Sequence, residues 1–490
     1  MREQLYDQIK KQGKKLYVLS KEKNWSYEEL QYYCAFYHKM FRDNGYDKVL
    51  LSTNQNFNAY SAILAAYLTG TTFCIINPDL PVERKQYMIE TFQPSLIICS
   101  EADNLNNVFE EKVFHLEKTK AAIKEFEICS IEQTFNNDLV YVSFTSGSTG
   151  MPKGCKIKRK AFEQFCRWAS DEFSLTEEDI YGQYVPLYFD MSLIDIFGGT
   201  LHGVTLVPFS NFSEKLRPGV LLKRYNITFL NVVPQFLEIL IQTNQCSREY
   251  LKSIRMIRFG GDKIYKKRLD RLFEHLPDVK VVSTYGPTET TCFCFYKTVD
   301  KTTYKNHSKE IVTIGNTIPG WQAYLRNVEE NVGEIVIYGS NIGAGYLHQE
   351  KDEHFSGEII NGQEVEVYYT GDYASMSNGM YYFEGRRDAQ IKINGNRVSL
   401  IEVEYALMKM GCSEVVAIFL KDNIFCFYCT SNEIFESEAE IKIRLEDKLP
   451  RYAIPSELIK LPKMPYNANG KVDRNKLKII AEKLIMEWGK

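Results

Sequence analysis

The chain has 490 residues, 44% of them hydrophobic and 25% charged, with 60 Lys and Arg against 63 Asp and Glu for a net charge of −3. That length exceeds what one hydrophobic core fills, so two or more domains are expected in an ordinary globular protein. The near-neutral balance gives no electrostatic case for a nucleic-acid partner, and the N-terminal Met1-Arg-Glu-Gln-Leu-Tyr-Asp-Gln8 has no signal-peptide core, so no membrane insertion and a cytoplasmic location are expected.

In chain order, the most apolar stretch, residues 59–76, is broken by Thr69-Gly70-Thr71-Thr72 and predicts a helix followed by a strand, not a span. Residues 95–99 and 139–144 are rich in apolar and β-branched side chains and predict buried strands. After the second comes Thr145-Ser-Gly-Ser-Thr-Gly-Met-Pro-Lys-Gly154, and then Phe162, Phe165, Cys166, Ala169 and Phe173 at helical spacing. Strand, glycine-rich turn and helix in succession present backbone N–H groups and hydroxyls to polyphosphate. The loop is not of the Walker A kind, because Pro152 precedes Lys153 and Gly154 stands where a Mg²⁺-binding hydroxyl would be. It points to ATP chemistry outside the P-loop fold.

Further on, residues 234–243 predict a helix and 280–283 a strand, continuing an alternation that argues for α/β layers. From Gly385 the character changes. Residues 390–400 alternate around Asn394-Gly395 and predict a hairpin. A helix (400–410), two strands (415–420 and 424–429) and a helix (438–449) follow, the make-up of a small α+β domain. Twelve cysteines without a small-domain framework imply reduced thiols. Cys426-Phe-Tyr-Cys429 has C-x-x-C spacing but lies in an alternating run and reads as strand thiols, with a redox or zinc role as the alternative. The seven histidines show no metal-ligand spacing.

The glycine-rich loop is one of an ordered series of motifs. The others are Trp25-Ser-Tyr-Glu-Glu-Leu30, Ile76-Asn-Pro-Asp-Leu-Pro81 with Arg84, Phe189-Asp-Met-Ser192 and Tyr285-Gly-Pro-Thr-Glu289. Gly333-Glu334, Gly343-Ala-Gly-Tyr346, Tyr369-Thr-Gly-Asp372, Gly385-Arg-Arg-Asp388 and Asn469-Gly-Lys471 complete it. On these the chain resembles the adenylate-forming superfamily, which includes acyl-CoA synthetases, luciferases and the adenylation domains of peptide synthetases. The resemblance implies a large layered α/β N-terminal domain (1–387) for ATP and substrate. It also implies a smaller, mobile α+β C-terminal domain (388–490), hinged at Asp388.

Joining a carboxylic acid to ATP needs positioning and electrostatic stabilisation, not a side-chain nucleophile. The resemblance places Thr145, Ser146, Gly147, Ser148, Thr149, Gly150 and Lys153 at the phosphates. It makes Glu289 the ligand of Mg²⁺, and an ion bridging phosphates takes only one or two carboxylates. Tyr285 would stack on adenine, with Gly260-Gly261 admitting backbone close to the base and Ser283, Thr284, Gly286, Pro287 and Thr288 around it. Ser283 departs from the asparagine often found there. Asp372 would accept both ribose hydroxyls and Arg386 contact the nucleotide. Lys471 would be the catalytic cation bridging substrate carboxylate, α-phosphate and ribose.

Asp190 discriminates among subfamilies, since members that activate amino acids carry an aspartate there. Pairing with an ammonium would offset its desolvation; a structural aspartate held by backbone N–H groups is the alternative. Motif spacing adds Met191, Ile194, Gln235, Ile257, Phe259, Thr284, Cys292 and Phe293 to the substrate pocket. That set is largely apolar, with Ile194 and Phe259 limiting depth, and favours a small or medium uncharged amino acid. The chain is similar to the stand-alone D-alanine–carrier protein ligases, departing from them at Phe259 and Ser283. About 16 residues follow Arg474, too few for a carrier domain, so a phosphopantetheinylated carrier protein is expected as a separate partner. The expected reaction is amino acid plus ATP to aminoacyl-AMP and pyrophosphate, then transfer to the carrier thiol. An acyl- or aryl-CoA synthetase and a non-catalytic nucleotide-binding regulator are the alternatives.

Overall fold

The computed structural model describes every residue except 102, 104, 106–108, 110–111, 120–134, 146–150, 350–351, 387–389, 431–436, 467–471 and 489–490. It divides into two compact units. Met1–Pro78, Thr91–Phe144 and Gly154–Gly385 form the first; Asp79–Glu90, Thr145–Lys153 and Arg386–Lys490 form the second.

The first unit begins with the predicted helix and strand. The helix Phe57–Thr69 is opened by Asn56, whose side chain accepts the Ala59 N–H, and closed by Gly70 at φ 89°, a left-handed conformation that suits glycine. The strand Thr72–Ile76 follows inside a six-stranded sheet ordered Val113–His115, Leu96–Cys99, Lys48–Ser52, Thr72–Ile76, Leu139–Thr145, Lys153–Lys158. The last of these departs from expectation. Lys153-Gly-Cys-Lys-Ile-Lys158 turns its lysines outward and buries Gly154, Cys155 and Ile157, a near-alternation that makes a strand. The helix carrying Phe162, Phe165, Cys166 and Ala169 spans Arg159–Glu172 and begins only after that strand. The glycine-rich stretch is therefore followed by a strand, and the helix comes only after it.

A nine-stranded sheet carries the site. Its order is Asn316–Thr317, Phe295–Val299, Lys280–Tyr285, Met256–Phe259, Phe229–Val232, Ile180–Gln183, Thr205–Pro208, Leu16–Val18, Trp25–Ser26. From Lys280–Tyr285 to Leu16–Val18 each neighbouring pair is parallel. The alternation of the strands separates two cores. Met256 and Val282 face one with Ile194, Phe165 and Phe293; Leu230, Ile257, Phe259 and Val281 face the other with Leu237 and Leu269. A five-stranded antiparallel sheet built on Gln363–Ser377 completes the unit.

In the second unit, Gln390–Ile393 and Asn396–Ser399 pair antiparallel around Asn394 (φ 50°) and Gly395 (φ 82°), the expected hairpin. The helix Leu400–Lys409, the strands Glu414–Leu420 and Asn423–Cys429 and the helix Glu438–Glu446 follow, with Glu457–Lys460 as third strand. Cys426 and Cys429 lie on opposite faces of their strand, one packed with Val403 and Leu407, the other with Met464 and Leu477. They do not form a joint site. Among the described residues no group of His, Cys, Asp and Glu is placed to hold a metal ion, and no helix is long and apolar enough to cross a membrane.

The nine-stranded sheet is tied at one end by Asp179. Its carboxylate accepts Arg255 Nε and Nη2, both at 2.7 Å, the Thr228 hydroxyl at 2.7 Å and the Thr176 N–H at 3.0 Å. Burial pushes its carboxyl up, but the Arg255 guanidinium and the Thr228 and Thr176 donors outweigh that and hold it below the usual range. The stability it contributes is thus present at neutral pH and lost as pH falls through the depressed value. Asp179→Asn is expected to cost about 2 kcal/mol at pH 7, less than a fully buried pair because Arg255 is partly exposed. Denaturant melts at several pH values check this: the gap from wild type should close in acid.

Candidate active site

Because the strands of the nine-stranded sheet run parallel, their C-terminal ends and the following loops lie at one edge, where open α/β sheets bind ligands. The register sets Val232 beside Phe259 and Phe259 beside Ser283. Gly260-Gly261 therefore emerges next to Thr284-Tyr285, and the Thr284 hydroxyl donates to the Phe259 carbonyl at 2.8 Å. A Cβ at Gly260 would come within 2.7 Å of Thr284 Oγ1, so a side chain there is excluded. Ser283, Thr284 and Tyr285 are all buried.

The expected adenine and ribose residues meet directly. Tyr285 donates its hydroxyl to Asp372 Oδ2 at 2.6 Å, and Asp372 is 1% exposed. Thr370-Gly371-Asp372 form an irregularity within the strand Gln363–Ser377, where its register with Val332–Tyr338 shifts. The Thr370 hydroxyl donates to the Ile335 carbonyl and accepts the Asp372 N–H, while Gly371, at φ 69°, donates its N–H to Glu334 Oε1 at 3.0 Å. Arg326 Nε anchors the other oxygen of Glu334 at 2.7 Å. Glu334 thus positions a strand irregularity 37 residues later in the chain, which its motif in the sequence does not reveal.

From Gly286 the chain makes a tight excursion that presents Glu289. Cys294 N–H donates to the Tyr285 carbonyl at 2.9 Å, and a Cβ on Gly286 would lie 2.3 Å from Phe293 Cα. Thr288–Thr290 form a 3₁₀ turn, pinned where Trp321 Nε1 donates to the Thr290 carbonyl. Thr291 and Cys292 then follow at φ 65° and 72°, left-handed values that a β-branched residue rarely adopts. Glu289 is fully buried and its Oε1 accepts the Tyr346 hydroxyl at 2.6 Å. Gly343, from the same motif as Tyr346, donates its N–H to the Glu289 carbonyl at 2.8 Å. Tyr346 is a site residue to which sequence reasoning gives no role; its phenol orients the carboxylate.

Asp190 is half-buried as a residue, but its Oδ2 is closed to solvent and has no hydrogen-bond partner among the described residues. Burial pushes its carboxyl up to about 6; the Thr288 hydroxyl and Met191 N–H oppose this, Glu289 adds to it and Arg258 opposes it. Met191, Ile194, Cys292 and Phe293 pack into the core on this side. Ile257 and Phe259 do not: they pack on the opposite face of the sheet with Leu237 and Leu269. The expected pocket positions are one residue out on this strand, and the residue turned toward the site is Arg258, which donates from Nη1 to Thr284 Oγ1 at 2.9 Å. Gln235 opens the helix Gln235–Gln242 half-buried and makes no hydrogen bond to this group.

Thr145, Lys153 and Arg386 belong to the second unit. Residues 146–150, Asp388 and Lys471 lie outside the described residues. A cavity of about 540 Å³ lined by Val18, Trp25, Asn56, Phe57 and Leu221 holds none of the expected site residues.

Two outcomes follow from this geometry. Since Asp190 titrates well above an ordinary aspartate, its ionised form costs stability at pH 7, a cost removed as pH falls below about 6. Asp190→Asn should therefore raise the unfolding free energy at pH 7 by on the order of 2 kcal/mol and leave it near wild type at pH 4, read from thermal melts. Gly286→Ala should displace the Glu289 turn and lower ATP affinity more than tenfold by calorimetry; a variant binding ATP as wild type does would contradict the close packing on Phe293.

The family model of AMP-binding enzymes matches residues 5–347. The D-alanine–D-alanyl carrier protein ligase of Listeria monocytogenes is 28% identical over 447 residues, covering 85% of each chain. Bacitracin synthase 1 of Bacillus licheniformis is 28% identical over 442 residues, which are 87% of this chain and 8% of that longer one. Among solved structures, the Vibrio cholerae adenylation domain AlmE in complex with glycyl-adenosine-5'-phosphate matches with a TM-score of 0.82 at 20% identity, covering 98% of this chain and 97% of that one. With its large N-terminal and smaller C-terminal domain, this chain belongs to the AMP-binding enzymes of the adenylate-forming superfamily.

Proposed function

We propose that the protein is an amino-acid adenylating ligase that passes its product to the phosphopantetheine thiol of a separate carrier protein. The observation that carries this reading is Asp190 Oδ2, buried beside the Glu289 turn with no partner among the described residues. An ammonium supplies the missing donor and the opposite charge at once. The relatives support it by name, one a carrier protein ligase and the other a bacitracin synthase. A cytoplasmic setting suits a protein whose described cysteines are all free thiols.

In the first half-reaction, a carboxylate oxygen of the amino acid bonds to the α-phosphorus of ATP. The bond from that phosphorus to the bridging oxygen breaks, and pyrophosphate leaves with the electron pair. Tyr285 and Asp372 hold adenine and ribose so that the phosphates point along the Glu289 turn. Glu289 would hold a Mg²⁺ ion, since it is a buried carboxylate oriented by the Tyr346 hydroxyl. When bound, that ion neutralises charge on the departing pyrophosphate. Lys471 bridges the acid and the α-phosphate, and Ser146 to Gly150 with Lys153 hold the outer phosphates. In the second half-reaction the carrier thiol loses its proton, its sulfur bonds to the acyl carbon, and AMP leaves. Lys471 must withdraw to admit the pantetheine arm, which a rotation of the C-terminal domain about Asp388 provides.

Amino-acid-dependent ATP–pyrophosphate exchange tests the reading. Glu289→Gln should lower exchange by about 100-fold or more in a folded protein. Lys471→Ala should abolish exchange while sparing thioester formation from preformed aminoacyl-AMP, and Asp388→Pro should do the reverse. Exchange supported by fatty or aromatic acids and by no amino acid would make the protein an acyl-CoA synthetase instead.

A further inference from the structure

We propose that Arg258 selects the substrate, and that the amino acid carries a second carboxylate on a short side chain, as aspartate does. The inference rests on the amino-acid-adenylating reading above. Arg258 is 1% exposed and among the largest fully buried side chains of the protein. Its partners are all neutral. Nη1 donates to Thr284 Oγ1 at 2.9 Å, Nη2 donates to Asn231 Oδ1, and the guanidinium lies 4.6 Å from the centre of the Phe293 ring. Nε has no acceptor among the described residues. Asp195, also fully buried, feels the Arg258 charge and is bonded to the Asn231 amide, whose Nδ2 donates to Asp195 Oδ1 at 2.8 Å and to the Met191 carbonyl at 2.7 Å.

A guanidinium buried with no carboxylate in direct contact is costly to desolvate, and filling the same volume with leucine or methionine would avoid that cost. A planar fork with an idle donor is suited to receive a carboxylate. Gly260 packs over it without a side chain of its own: a Cβ there would lie 2.7 Å from Thr284 Oγ1, 3.2 Å from Arg258 Nη1 and 3.4 Å from Met191 Cε. Arg258 also acts electrostatically on Asp190, opposing the rise of its carboxyl. Negative Asp190 and positive Arg258 reverse the ammonium and side-chain carboxylate of an acidic amino acid. Met191, Cys292 and Phe293 around it are at most 8% exposed, and a short side chain asks the least displacement of such close packing.

The test is ATP–pyrophosphate exchange with the full chain over glycine and both enantiomers of alanine, aspartate, asparagine and glutamate, for wild type, Arg258→Leu and Arg258→Lys. One aspartate enantiomer should exceed alanine and asparagine at least tenfold in kcat/KM. Arg258→Leu should lower the aspartate value about 100-fold and turn preference toward a neutral amino acid, with Arg258→Lys in between. An ATP-induced rise in melting temperature shows that each variant is folded with its nucleotide site intact. If Arg258→Leu does not fold, partial loss of selectivity in Arg258→Lys carries the test. A wild-type preference for glycine or alanine overturns the proposal, as does an equal loss across the whole panel, which would place Arg258 on the α-carboxylate. No exchange with any amino acid would overturn the adenylating reading itself, and this one with it.

Discussion

Four neighbouring parallel strands, Ile180–Gln183, Phe229–Val232, Met256–Phe259 and Lys280–Tyr285, decide where the chemistry of the first unit happens. Parallel pairing sends every following loop to the same edge. Gly260-Gly261, Thr284 to Glu289 and Asp190 therefore come together although about a hundred residues of chain separate the first from the last. The pairing also decides which side chains reach the site, because a shift by one residue exchanges the two faces of a strand. Asp179, Arg255 and Thr228 clamp the opposite ends of three of these strands, so the register is held far from the loops that depend on it.

The acidic residues at that edge are stabilised in a particular way. Asp372 takes the Tyr285 phenol and Glu289 takes the Tyr346 phenol. A neutral donor orients a carboxylate and relieves part of its desolvation while leaving its charge available, whereas a lysine or arginine in the same place would cancel it. Asp190 goes further, with one oxygen left unsatisfied among the described residues.

Much of this is legible in the sequence. The hairpin at Asn394-Gly395, the helix end at Gly70 and the order of layers each rest on a strong local preference that tertiary structure has no reason to override. Two features are hidden because local character misleads. Lys153–Lys158 does not announce a strand, since its outward residues are all lysine and a short polar alternation carries little signal by itself. On Met256-Ile-Arg-Phe259 the apolar residues suit a pocket better than arginine does, yet it is arginine that faces the site. The sheet is buried on both faces there, so apolar character does not distinguish one face from the other. Tyr346 and Glu334 escape notice as working residues because their partners are distant in sequence, and nothing local in the chain records such a contact.

Phe293 receives the Arg258 guanidinium against its ring and meets the rings of Phe165 and Trp168 at 4.8 and 5.8 Å, both in edge geometry. Those two residues sit on the helix Arg159–Glu172. One side of the candidate site is therefore braced by a helix to which the sequence motifs assign no role. In an interior packed this closely, changing the bulk of Trp168 tilts Phe293 and moves the cation resting on it. Evolutionary drift in substrate preference then has a route through positions that any survey confined to pocket-lining residues would pass over.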